Sequence, residues 1–506
     1  MRTLSLAVVV ALVAGCATDP ELASSDEALS LRSIDPRKEL VITDPSVIRA
    51  PLETAFDPAH PSGFSQRGAW SFGRIVHNML PRGQRDSAVA ASQLVFEWLH
   101  AWESDQAPNP EVSASRARPG MRLLITNPWK AASGCAEPAS RETDDSCVLD
   151  LAKAPFHLMA IVYRPDLRVV AGDATSSGGE GRFVFQAFGP TIGIETATNA
   201  LAVMDPTVKA QKMTVNVEFS LPVFHDLETL LWAYRWHVLG SLPFGPAYNA
   251  WLRSITNDFS GPDRDPRRPN GNALDQLRTN EVASFGARFP APGFTAAKQF
   301  WELREFHLTA MGLVQHTVND EASRDFDIAH AGQIAGEGTR PAELAAYLTE
   351  NATTVLAQQQ VLPDALLGNS ALVGSAPYGA WGKLVNPNPP TIPSSGVAND
   401  LGVDIAVRDA YAMGTCAGCH RHETDTRHFM HITFVGAMEP LDRVDDRARI
   451  GLDASTPDDT VALSNVLAAD IADGGGRNTD YRNLLATNLR DLREFVGRPA
   501  CASHGR

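Results

Sequence analysis

The sequence predicts an α+β protein, with a strand-rich N-terminal domain built as an antiparallel sheet or sandwich, a helical middle and a mainly helical C-terminal domain. Short runs of alternating apolar and polar residues, separated by Gly-rich turns, occupy residues 120–222, and helical spacing dominates the segments on either side. A run rich in Pro and Asn near residue 390 separates off the last hundred residues. The 506 residues, 44% hydrophobic and 20% charged, can bury more than one core.

The strand predictions depend on period-two alternation, which is clearest in the run Thr-Val-Asn-Val-Glu-Phe at residues 214–219. Strands of this kind, bounded by turn residues, are typical of small antiparallel sheets. The expected strands are Met121–Thr126, Phe156–Tyr163, Arg168–Ala171, Arg182–Phe188 and Met213–Leu221.

The helix predictions depend on apolar residues that recur every three or four positions, as Val95, Trp98 and Leu99 do. One of them, over Thr295–Met311, would carry the charged residues Glu302, Arg304 and Glu305 on a solvated or salt-bridged face. The full set of expected helices is Ser87–Glu103, Leu227–Val238, Pro246–Phe259, Thr295–Met311, Pro341–Gln360, Asp400–Met413 and Tyr481–Val496.

The strongest linker signal is Asn386-Pro387-Asn388-Pro389-Pro390, which continues into a second Pro/Ser/Gly-rich run ending at residue 396. A domain boundary is expected there. The predicted division is a signal peptide at 1–15, a tether and irregular lead-in at 16–85, a strand-rich domain at 86–222, a helical region at 223–361, a Pro/Gly/Asn-rich linker at 362–396 and a C-terminal domain at 397–506.

The formal net charge is −15, and no run rich in Lys or Arg interrupts the acidic surface that this implies. Proteins that bind nucleic acid usually carry a basic patch, because the phosphate backbone dominates their affinity. Nucleic acid is therefore excluded as the leading partner.

The first residues predict export. Arg2 precedes an apolar stretch, Leu4–Ala14, that is too short to span a bilayer, and the stretch runs into Ala14-Gly15-Cys16. Small residues directly before a cysteine resemble the lipobox of bacterial lipoproteins. The resemblance implies lipidation of Cys16, and Ala17 in place of Asp implies the outer membrane, with the lipid as the only membrane anchor. The alternative is an ordinary signal peptide with an incidental cysteine.

One motif carries chemistry, the sequence Cys416-Ala417-Gly418-Cys419-His420. Two thiols at this spacing can each add to one vinyl group of haem, and the histidine that follows lies under the iron. The last hundred residues thereby resemble the monohaem c-type cytochromes. The resemblance implies a cytochrome c-like C-terminal domain, one covalent haem c on Cys416 and Cys419, and His420 as the proximal iron ligand.

The sixth iron ligand departs from the pattern of those cytochromes, in which a methionine well downstream of the motif serves. Here no methionine follows Met438, which lies 18 residues after His420. His431 and Met438 are the favoured ligands, and an imidazole would lower the reduction potential relative to a thioether. The candidates near the motif are His422, His428, Met430, His431, Met438 and His504.

Two other interpretations of the motif remain open. Two of the histidines in this segment, which are His420, His422, His428 and His431, could complete a zinc site with the two cysteines, although the spacing between the pairs is shorter than usual. Alternatively, Cys416 and Cys419 could form a disulfide with each other, or one of them could pair with Cys501. A further disulfide is expected between Cys135 and Cys147, which flank a polar segment.

Together these features predict an exported, lipid-anchored haem protein that transfers one electron at the cell envelope to or from a redox partner protein. It would lie at the outer membrane, facing the periplasm or the cell surface. An electron carrier is favoured over a haem enzyme such as a peroxidase. The alternative is a non-catalytic envelope-binding lipoprotein whose Cys/His cluster holds zinc or a structural disulfide.

Overall fold

The computed structural model describes most of the chain from residue 34 to residue 281 and several later segments. The described residues are 34–64, 66–105, 117–135, 147–169, 176–195, 197–198, 200–224, 227–281, 301–316, 340–357, 360, 362–366, 371–374, 402–404, 406–407, 410–411, 430–437 and 457–496. Over these ranges no helix combines the length and the apolar character needed to cross a bilayer.

The central element is an antiparallel sheet of eight strands, which together with the helices around it confirms the α+β class. Seven strands lie side by side in chain order, and the eighth pairs with the sixth. They are β1 (Val41–Ile42), β2 (Phe156–Arg164), β3 (Ser177–Glu195), β4 (Ala200–Pro222), β5 (Leu274–Glu281), β6 (Trp301–Thr309), β7 (Gly312–His316) and β8 (Ala371–Gly374). A separate pair is formed by β9 (Ile432–Phe434) and β10 (Val461–Leu463).

The sheet has an apolar face and a polar face, because side chains alternate along each strand. Phe183 on β3 packs against the ring of Phe259 at 5.7 Å between centroids. The preceding residue, Arg182, points the other way and lies 3.2 Å from the buried Glu218 of β4. Gln276 of β5 donates to the second oxygen of Glu218 at 2.7 Å. A buried row of charged and amide groups therefore crosses the polar face.

Helices flank the sheet, and the prediction of a helix over Ser87–Glu103 is confirmed. The hydroxyl of Ser87 accepts from the Ala90 amide and begins this helix, whose buried side presents Trp98 to Thr279 of β5 at 3.3 Å. The helices are α1 (Pro36–Glu39), α2 (Pro45–Ile48), α3 (Pro51–Thr54), α4 (Phe72–Met79), α5 (Ala88–Glu103), α6 (Asn127–Ala132), α7 (Leu227–Ser241), α8 (Pro246–Ser260), α9 (Pro341–Glu350), α10 (Ala352–Leu356), α11 (Asn465–Ile471) and α12 (Gly476–Val496).

The described residues 430–437 and 457–496 contribute to the hydrophobic core of the sheet. Tyr481 of α12 is fully buried, and its hydroxyl donates to the Ala233 carbonyl of α7 at 3.0 Å. Ile432, Phe434 and Leu485 belong to the same core. Helix α12 contains the predicted Tyr481–Val496 helix and begins five residues earlier. Of the predicted Asp400–Met413 helix, the described residues 406–407 and 410–411 are helical, whereas residues 402–404 are not.

The prediction of a helix over Thr295–Met311 is wrong, because residues 301–309 form β6. Phe306 and Leu308 are buried on one face of this strand, and Glu305 lies on the other. That alternation fits a strand between β5 and β7, and pairing with residues distant in sequence outweighs local helix propensity. Glu305 is therefore a buried sheet residue rather than part of a solvated helix face.

The prediction of a strand over Met121–Thr126 is also wrong. Residues Arg122–Thr126 form a π-helix that runs into α6. Arg122 and Thr126, four residues apart, both bind the carboxylate of Glu103, Arg122 at 2.8 Å. Pro128 near the start of α6 favours the helix as well. Only a helical backbone brings both side chains to one carboxylate.

Three further expectations need correction. The middle region, 223–361, contains β5, β6 and β7 besides its helices, so the sheet continues across residue 222 and the region is mixed rather than helical. The expected strand at Arg168–Ala171 is reduced, over its described part, to a single bridge between Val169 and Ser177. The expected Pro341–Gln360 helix is divided at Asn351 into α9 and α10.

The disulfide expected between Cys135 and Cys147 is present, with the two Cα atoms 5.7 Å apart. It joins residues 12 positions apart, and such a link limits the freedom of the unfolded chain. We expect Cys135→Ser/Cys147→Ser to lower the free energy of unfolding by about 3 kcal/mol in urea denaturation. A variant with the stability of the parent chain would contradict this expectation.

Candidate functional site

The predicted haem-attachment motif lies outside the described residues, which include residues 410–411 before it and 430–437 after it. Cys416, Cys419 and His420 fall between residues 412 and 429, and Cys16 and Met438 are likewise outside the described ranges. The structure describes the chain up to residue 411 before the motif and again from residue 430 after it.

The described residues before the motif belong to a small hydrophobic cluster. Tyr411, five residues before Cys416, is fully buried, and Val403 and Val407 precede it in the same cluster. The partners of these side chains include Leu344 and Leu348 of α9. Val403, Val407 and Tyr411 therefore tie the described residues before the motif to α9 through one hydrophobic cluster.

The described residues after the motif contact β3. Gln186, a fully buried residue of β3, accepts from the Phe434 amide at 2.7 Å and donates to the Thr433 hydroxyl at 3.1 Å. The ring of Phe434 packs edge-on against Phe188 at 5.7 Å. The amide of Gln186 thus satisfies both backbone and side chain of β9, and this pairing holds the segment that follows the motif against the sheet.

His431, one of the two favoured sixth ligands, is held by Ser464. The Nδ1 atom of His431 forms a 2.7 Å hydrogen bond with the Ser464 hydroxyl, and the Ser464 amide donates to the His431 carbonyl at 2.8 Å. The same hydroxyl accepts from the Leu467 amide at 3.2 Å and begins α11. One serine therefore caps a helix and orients an imidazole.

We expect Ser464→Ala to lower the free energy of unfolding by about 1 kcal/mol, because the first turn of α11 loses its cap. Ser254→Ala is the matched control, since the Ser254 hydroxyl lies in the middle of α8 and is exposed. Thermal unfolding compares the two variants. Equal midpoints for both would show that the Ser464 hydroxyl does not stabilise this part of the molecule.

A second cluster of potential ligands was missed from the sequence. Glu305 and His307 lie two residues apart on one face of β6, and His316 lies opposite Glu305 on β7. His307 Nε2 is 2.7 Å from Glu305 Oε1, and the two imidazoles stack at 4.3 Å between centroids. One ligand atom from each of the three side chains lies within 4.8 Å of the other two. The usable signal was the alternation of residues 305–309, Glu-Phe-His-Leu-Thr, which is typical of a strand.

The electrostatics of this cluster favour an ionised Glu305. Burial raises the pKa of its carboxyl group. The hydrogen bond from His307 and the charge of Arg278 lower this pKa by more than burial raises it, so the pKa lies below its ordinary value. Arg278 Nε donates to Glu305 Oε2 at 2.8 Å. The carboxylate is thus charged at neutral pH and is held on one side by a guanidinium.

Comparisons of this chain with protein-family models, with curated proteins and with solved structures give no match.

Proposed function

We propose that this chain is an exported, lipid-anchored c-type haem protein that transfers one electron at the cell envelope. The observation that carries the proposal is the sequence Cys416-Ala417-Gly418-Cys419-His420 in a chain that begins with a lipobox ending at Cys16. Covalent haem attachment and lipidation both take place on exported proteins, so the two signals support each other.

The donor set fits haem c. Two thiols at this spacing match the two vinyl groups, and the imidazole of His420 follows directly as a nitrogen ligand. Bound haem would supply the iron that accepts and releases the electron. The anchoring of Tyr411 before the motif and of Phe434 after it supports the proposal, because a cofactor site needs fixed ends to its binding segment.

His431 and Met438 remain the two candidates for the sixth ligand. Because Nδ1 of His431 is engaged with Ser464, ligation by this residue would use Nε2, and the serine would set the orientation of the ring. His431→Ala and Met438→Ala can be compared directly. The variant that converts a six-coordinate spectrum to a five-coordinate one identifies the ligand, and ligation by His431 should accompany the lower reduction potential.

The partner in this proposal is a redox protein of the envelope, and the membrane is reached only through the lipid on Cys16. The zinc or disulfide alternative would make the chain a non-catalytic envelope-binding lipoprotein. A peroxidase would instead need an open coordination position on the iron.

The experiment is a redox titration of the exported, purified protein, followed by absorption spectroscopy. Reversible reduction, with a six-coordinate spectrum that carbon monoxide and peroxide leave unchanged, is the expected result. Sustained oxidation of a dye with peroxide would replace the electron carrier with a peroxidase. A folded protein without haem, whose zinc is lost in Cys416→Ala/Cys419→Ala, would support the non-catalytic alternative.

A further inference from the structure

The hairpin of β6 and β7 brings together two imidazoles and a carboxylate. The first and last of these three residues, Glu305 and His316, are 11 positions apart in the sequence. Antiparallel pairing sets Glu305 opposite His316, and the period of two along β6 sets His307 on the same face as Glu305. Gly312 makes the tight turn between the strands possible, because its backbone has φ of 134°. The arrangement is therefore fixed by the backbone of the sheet.

We propose that Glu305, His307 and His316 form a binding site for one divalent transition-metal ion, with Zn²⁺ as the expected occupant. Two imidazoles and one carboxylate are a ligand set that zinc accepts in proteins, and three protein ligands leave a position for water or another exogenous ligand. This site uses residues separate from the haem motif, so the proposal stands or falls independently of the proposed electron transfer.

The distances between the three ligand atoms require only a small movement for zinc to bind. Ligand atoms about 2.0–2.1 Å from a tetrahedral zinc ion lie about 3.3 Å from one another. His307 Nε2 and Glu305 Oε1 are 2.7 Å apart, and all three ligand atoms lie within 4.8 Å. His307 is 38% exposed at its side chain and His316 is half-buried, so both rings have room to turn from their stacked arrangement. The metal would replace the hydrogen bond between His307 and Glu305.

Arg278 supports the carboxylate from the side away from His307. Arg278 Nε donates to Glu305 Oε2 at 2.8 Å, whereas Glu305 Oε1 faces the imidazole of His307. Such a contact fixes the orientation of a metal ligand, and outer contacts of this kind commonly change metal affinity by about 10–100-fold. Glu305 is itself almost fully buried, which limits its alternative conformations.

The test measures zinc on the full-length exported protein. The protein is stripped with EDTA, loaded with Zn²⁺, desalted, and assayed for zinc per chain, and the dissociation constant is measured by competition with a chromogenic chelator. Wild type should retain a zinc ion that raises its thermal midpoint. His307→Gln and His316→Gln should each weaken this zinc by at least about tenfold.

His60→Gln is the matched control, because His60 also lies beside a carboxylate, with Nδ1 3.2 Å from Asp57, but has no second histidine in that pair. It should bind zinc like wild type. The histidine variants are folded if their thermal midpoints in EDTA equal that of wild type in EDTA. The proposal is overturned if wild type retains no zinc, if both histidine variants bind it like wild type, or if zinc is lost only in Cys416→Ala/Cys419→Ala.

Discussion

The Cys416→Ala/Cys419→Ala variant should be exported without covalent haem, a complete loss relative to the parent chain. The reason is chemical, because each thioether bond needs a thiol and alanine offers none. Staining for haem-dependent peroxidase activity on a denaturing gel measures this directly, since haem that is not covalently bound leaves the chain there. The host must possess cytochrome c maturation machinery.

Cys135→Ser/Cys147→Ser is the matched control for this experiment. It removes the other cysteine pair, which forms the disulfide of the N-terminal region, and should keep its full haem stain while losing stability. Persistent staining of Cys416→Ala/Cys419→Ala would show that haem is attached elsewhere or not through these thiols.

Arg118→Met should destabilise the fold by about 3–5 kcal/mol, the largest stability change expected here. Arg118 and Glu281 form an ion pair at the end of β5, and their side chains are 1% and 0% exposed. Removing the guanidinium takes an ion-pair partner away from a carboxylate that water cannot reach, and breaking a buried ion pair from one side is costly. Urea denaturation measures the change in the free energy of unfolding.

Two further variants sharpen this prediction. Arg49→Met breaks an exposed pair with Asp459, whose side chains are 42% and 63% exposed, and should cost less than about 1 kcal/mol. Arg118→Met/Glu281→Met removes both buried charges and should recover part of the stability lost in Arg118→Met. If Arg118→Met and Arg49→Met have equal effects, the buried pair does not stabilise the fold as the structure indicates.

The elements that could be predicted from the sequence are those with a strong local pattern. Helix α5 has a serine cap at Ser87 and a regular apolar face, and α8 begins at Pro246, so neither needs distant contacts to be recognised. Strands β2, β3 and β4 were recognised from alternation and Gly-rich turns. The extension of β3 and β4 well beyond the predicted segments was not predicted, because neither pattern continues to their ends.

The failures lie where distant contacts decide the local structure. The segment around Arg304 contains good helix formers, yet it pairs with β5 and β7, and Arg304 itself is buried against Trp102 at 4.2 Å. Residues 122–126 resemble a strand, yet Glu103, about 20 residues earlier, binds both ends of the segment. Neither partner is visible in the local sequence.

The two candidate sites also differ in whether the local sequence is enough to predict them. The predicted haem-attachment motif is contiguous, so the expectation depends on five residues and needs no knowledge of the fold. Glu305, His307 and His316 form a cluster only after the register of β6 and β7 is known. A helix over residues 295–311 would have pointed Glu305 and His307 to different sides, which is why the cluster was missed.

The pyridine haemochrome spectrum of the purified, exported wild-type chain tests the central claim most directly. We expect the spectrum of haem c at close to one haem per chain. A well-folded chain without haem would contradict the electron-transfer proposal and leave zinc or a structural disulfide as the role of Cys416 and Cys419.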